Sequence, residues 1–70
     1  MARTIILYSD QDEKILKYWN TDIDICNSHT IIHRPHETIR LVAEIEAISM
    51  KNNKTVVFYK NGCYIVINRQ

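Results

Sequence analysis

The side chains with most chemical capacity crowd into one stretch, Cys26-Asn27-Ser28-His29-Thr30-Ile31-Ile32-His33-Arg34-Pro35-His36. As spacing it reads C-x2-H-x3-H-x2-H, and thiolate and imidazole both ligate zinc. Cys63 is a further ligand if the fold brings it near. Structural zinc sites usually join two separated ligand pairs, whereas Cys26, His29, His33 and His36 would close one cramped loop. The expectation is therefore three surface histidines in a polar connection, one buried cysteine, no metal and no other cofactor.

The same stretch raises a second chemistry. His29 or His33 as general base, with Arg34 stabilising charge on phosphate, would suit a small RNase toxin. Nothing else in the chain positions a substrate, so no catalytic residue is assigned. The acids Asp10, Asp12, Glu13, Asp22 and Asp24 follow apolar runs and invite a Mg²⁺ reading. Helix capping explains the first three better, and the solvent side of an alternating strand explains Asp22 and Asp24.

The elements that must position these groups are most legible at Lys54–Arg69, KTVVFYKNGCYIVINR. Two β-branched and aromatic runs flank Asn61-Gly62, the dipeptide of a two-residue type I′ hairpin. That turn pairs Lys60 with Cys63, Tyr59 with Tyr64 and Val57 with Val66. One face then carries Val56, Phe58, Cys63, Ile65 and Ile67, and the other carries Val57, Tyr59, Tyr64 and Val66. Both are apolar, where a two-layer domain needs only one.

Upstream, Arg3–Tyr8 reads as a central strand buried on both faces. Ser9-Asp10-Gln11-Asp12-Glu13 looks like an N-cap and acidic first turn, with a helix from about Gln11 to Asn20 turning Ile15, Leu16 and Trp19 inward. Asp22–Cys26 alternates as a half-buried strand, and Thr30–His33 is a short strand or an extended connection. Arg34-Pro35-His36-Glu37-Thr38 opens a second helix that reaches about Met50. On it Leu41, Val42, Ile45 and Ile48 form the core stripe. Ile39, Ala43, Ala47 and Met50 make an apolar shoulder, with Glu46 between stripe and shoulder. That arc is wide for so small a domain. The fold expected is thus α+β, a mixed α/β domain of order β-α-β-(β)-α-β-β, whose first strand–helix–strand is a parallel crossover.

The opening TIILYS and the closing KTVVFYKNGCYIVI resemble the first strand and last hairpin of the thioredoxin and glutaredoxin fold, over about a third of the chain. The resemblance implies topology alone. Ser9-Asp10-Gln11-Asp12-Glu13-Lys14 stands where that family has Cys-x-x-Cys, and Lys54-Thr55-Val56 lacks its proline. No redox residue carries over, and no family is assigned.

Seventy residues with 46% hydrophobic and 24% charged content bound one marginal globular domain. Net charge is +1, so no global pull towards nucleic acid or membrane acts. Two cysteines make no disulfide scaffold, and no run is long enough to cross a membrane, so the cytoplasm is the expected location. The function expected is a non-catalytic protein-binding or inhibitory module, in the manner of small phage or mobile-element proteins. It would use Val57, Tyr59, Tyr64 and Val66 with Ile39, Ala43, Glu46, Ala47 and Met50, against a protein partner or a second copy of the chain. The alternative is a nucleic-acid binder using Lys54, Lys60 and Arg69 beside the hairpin aromatics.

Overall fold

The computed structural model describes residues 3–19 and 21–69. It overturns the α+β expectation: the described residues form eight strands and no helix. These are β1 (Arg3–Tyr8), β2 (Lys14–Trp19), β3 (Asp22–Ile25), β4 (Thr30–His33), β5 (Thr38–Leu41), β6 (Ile45–Lys51), β7 (Lys54–Tyr59) and β8 (Tyr64–Arg69). One sheet has the order β2-β1-β8-β7-β6 and the other β3-β4-β5, with every pair antiparallel. The parallel crossover, and with it the thioredoxin-like topology, is absent from the described residues.

Each expected helix fails for a physical reason. Ser9 does accept from backbone N–H groups as an N-cap would, with Oγ 3.2 Å from both Gln11 N and Glu13 N. Asp12 then adopts φ 62° and Ser9 N–H bonds Glu13 C=O at 2.8 Å, so the chain reverses into a hairpin. A ten-residue helix is marginal by itself, and Ile15, Tyr18 and Trp19 suit a strand better. Asn20, the expected end of that helix, lies outside the described residues.

The second helix dissolves into β5 and β6. Ile39, Leu41, Ala43 and Ile45 alternate strictly, and so do Ile48 and Met50. Between them Glu46 is the extra residue of a bulge, since Ile45 pairs Tyr59 while Ala47 pairs Phe58. The bulge shifts the apolar parity by one. Wound at a helical period, that shifted alternation spreads into the over-wide apolar arc. Asn52 (φ 48°) and Asn53 then turn β6 into β7 rather than ending a helix.

The closing hairpin has a different register from the one a two-residue turn gives. Gly62 N–H bonds Tyr59 C=O (3.0 Å) and Tyr59 N–H bonds Cys63 C=O (2.9 Å), so the loop is Lys60-Asn61-Gly62. Gly62 alone of the three has positive φ, at 94°. This is a tight turn closed by a left-handed glycine bulge. Phe58 therefore faces Tyr64 and Val56 faces Val66. A slip of one residue exchanges the faces of β7. Val57 and Tyr59 go into the core, and Val56 and Phe58 come out.

Ile5, Leu7, Val57, Tyr59, Ile65 and Ile67 form the core of the larger sheet, with Ile23, Leu41 and Ala43 packed against it. β1 has one face there; its other face, Thr4, Ile6 and Tyr8, is only half-buried. At one end of the smaller sheet the Arg34 guanidinium lies 3.7 Å from the Tyr18 ring centre on β2. At the other, Asn27 C=O accepts from Ile45 N–H on β6 (3.1 Å). β2 and β6 are the two outer strands of the larger sheet, so the smaller sheet runs crosswise over it, as in orthogonal sandwiches. Thr30 and Tyr59 tie the layers through a buried hydroxyl pair at 2.5 Å. No helix among the described residues is long and apolar enough to cross a membrane.

Candidate functional site: the outer face of the larger sheet

The smaller sheet covers one face of the larger, and the other face is open. Register places three rows across it. Tyr8, Tyr64, Phe58 and Ala47 make the first, and Ile6, Val66, Val56 and Ser49 the second. Thr4, Asn68, Lys54 and Lys51 make the third. On the adjoining β2, Lys17 stands opposite Ile6 and Trp19 opposite Thr4.

The first row is an aromatic ladder. Tyr8 and Tyr64 stack with ring centres 4.9 Å apart and planes 18° from parallel, and Phe58 lies 5.9 Å from Tyr64 at 37°. Offset stacking and cross-strand pairing hold these rings against one another. The Tyr64 hydroxyl donates to Asp12 Oδ1 at 2.6 Å. That bond pushes the phenol pKa up to about 12, helped by residual desolvation and the Asp12 charge. The Asp12 carboxylate thus points Tyr64 and keeps it protonated.

The third row, four residues along the strands from the first and so about 13 Å away, is cationic and amide-rich. Lys17, Lys51 and Lys54 converge with Asn52, Asn53 and Asn68 on an open cleft of about 540 Å³. None of the three lysines is ion-paired among the described residues. Lys17 instead sits 5.0 Å from the ring centre of Trp19, which is 64% exposed. The face therefore offers exposed π surfaces at one end and uncompensated ammonium groups with amide donors and acceptors at the other.

The residues singled out from sequence are scattered by comparison. Val57 and Tyr59 are buried, and burial raises the Tyr59 pKa despite the opposing Thr30 hydrogen bond. Tyr64 and Val66 do lie on the outer face, although Val66 is buried among its neighbours there. Ile39 is half-buried on the core side of β5, and Ala43 packs against the core from the β5–β6 link. Glu46 is the exposed bulge residue, Ala47 ends the aromatic row, and Met50 is 74% exposed on the core side of β6. Lys54 is in the cleft. Lys60, in the turn, is instead paired with Glu44 at 3.2 Å. Arg69 ends β8, and its side chain lies outside the described residues.

The Cys/His stretch folds as a hairpin. Cys26 is exposed in the β3–β4 turn, not buried, and His29 in the same turn contacts Ser28. His33 ends β4 and bonds Asp24 at 2.7 Å, while His36 is exposed in the β4–β5 turn. Strand rise holds His29 and His33 about 13 Å apart. Among the described residues no three of His, Cys, Asp and Glu stand together as a metal site needs.

Sequence reasoning missed Tyr8, Lys17, Trp19 and Lys51 as site residues. The alternation of Thr4, Ile6 and Tyr8 against Ile5 and Leu7 was a usable signal for Tyr8. The chain matches no protein-family model, no curated protein and no solved structure.

Proposed function

We propose that this chain is a non-catalytic binding module that takes single-stranded nucleic acid on the outer face of its larger sheet. The observation that carries the reading is one face holding both the Tyr8–Tyr64–Phe58 ladder and Lys17, Lys51 and Lys54, none of them ion-paired among the described residues. Bases stack on aromatic rings regardless of sequence, and lysines neutralise the backbone between them. Asn52, Asn53 and Asn68 add hydrogen-bonding groups for sugar, phosphate or base edges.

A protein partner on the same face is the other reading, and the apolar row of Ile6, Val56 and Val66 favours it. Lysine counts against it, being depleted at the centre of protein interfaces. The test is a fluorescence-anisotropy titration of a labelled oligothymidine, with its duplex form as competitor. Phe58→Ala and Trp19→Ala should each weaken binding about fivefold or more, since a lost stack costs about 1–3 kcal/mol per base. Binding that is absent, or equal for duplex and single strand, removes this reading.

A further inference from the structure

We infer that a second copy of this chain docks along β6, joining two larger sheets into one ten-stranded sheet. β6 ends the strand order of its sheet, and beyond the Ile45–Asn27 bond no described backbone group pairs along its free edge. The other edges are defended, as natural sheets require. β2 is bulged and carries Lys14 and Lys17, while β3 and β5 have four residues each. β6 is bulged too, at Glu46, and carries Lys51, but its bulge lies near one end and leaves residues 47–51 as a regular run with no proline. On its core side the smaller sheet stops short, leaving Ile48 50% and Met50 74% exposed. They open into a cleft of about 310 Å³ shared with Ile23 and Ile25 of β3.

Self-pairing suits this edge better than a foreign strand because its residues complement one another about a two-fold axis. An antiparallel pair of identical strands keeps each residue on its own face only when residues of equal parity meet. With Ser49 on the axis, Ile48 of each copy meets Met50 of the other, and Ala47 meets Lys51. The four apolar side chains close both clefts in one band. Lys51 of each copy also comes beside the partner's bulged acid at position 46, a pairing of opposite charge. Pairing stops at that bulge, which limits how far the two strands can slip. The two lysine clefts would then adjoin on one continuous face, although the dimer does not depend on what that face binds.

The experiment is sedimentation equilibrium together with cysteine cross-linking in a Cys26→Ser/Cys63→Ser background. The mean mass should rise with concentration from 8.3 kDa towards twice that value. Ser49→Cys should form a covalent dimer under mild oxidation, because directly opposed residues lie within disulfide reach. Ala47→Cys places its two thiols about 13 Å apart along the strands and should not. Met50→Lys, at a largely exposed position, should keep the circular-dichroism spectrum and abolish the mass increase. A constant monomer mass at all concentrations overturns the inference. So does Ala47→Cys cross-linking as readily as Ser49→Cys.

Discussion

Two tyrosines of the closing hairpin, five positions apart in sequence, carry opposite duties because one residue of register separates their faces. Tyr59 is buried and shares its hydroxyl with Thr30, holding the layers together. Removing that hydroxyl strands a buried Thr30 oxygen, so Tyr59→Phe should cost about 1–3 kcal/mol in chemical denaturation. Tyr59→Phe with Thr30→Val should recover part of it, since neither partner is then left unsatisfied. Tyr64 faces out and donates to Asp12, which raises its pKa from 10.0 to about 12. The folded state thus favours the neutral phenol. This contribution to stability is complete below pH 10 and is lost as pH rises through about 12. Ultraviolet titration should show Tyr64 ionising late, alongside the buried Tyr59, and Asp12→Asn should return Tyr64 alone towards its ordinary range. At this scale the sequence was readable in kind but not in place. Tyr64 stood out as a surface aromatic, while Tyr59 took the wrong face with the wrong turn.

Among the elements, the strands Arg3–Tyr8, Asp22–Ile25 and the last two were legible because β-branched runs between turn residues allow little else, while Thr30–His33 read equally as a short strand or an extended connection. The two helices were misread for separate reasons. Ser9 followed by acids is a true capping arrangement, but one that here closes a hairpin loop. In residues 39–50 the Glu46 bulge breaks the alternation that would have marked strands, and a bulge has no reliable signature in a single sequence. Asn61-Gly62 correctly marks a turn yet fits two loop lengths, and only the hydrogen bonds of Tyr59 decide between them. Gly62 is needed here for its left-handed φ. A Cβ would also stand 2.7 Å from the Asp10 Cβ, so the β1–β2 loop and this turn pack tightly. Gly62→Ala should therefore destabilise by about 1–3 kcal/mol, read as a lower denaturation midpoint with unchanged slope.

At the scale of the whole molecule, a three-stranded sheet laid across a five-stranded one leaves a face uncovered, and its residues decide what it can hold. Net charge of +1 gave no hint of this. The lysines matter because Lys17, Lys51 and Lys54 are gathered in one cleft, while Lys60 is neutralised by Glu44 at the other end. Formal charge counted along the chain cannot show that gathering, since Lys17 comes from a strand far away in sequence. The measurement that tests the account most directly is the salt dependence of oligothymidine affinity for the unaltered chain and for Lys51→Gln/Lys54→Gln. Three phosphate contacts predict a log–log slope of about −2, falling to about −0.7 in the double variant. A slope near zero, or one that the double variant leaves unchanged, would contradict the proposal and return the aromatic face to a protein partner.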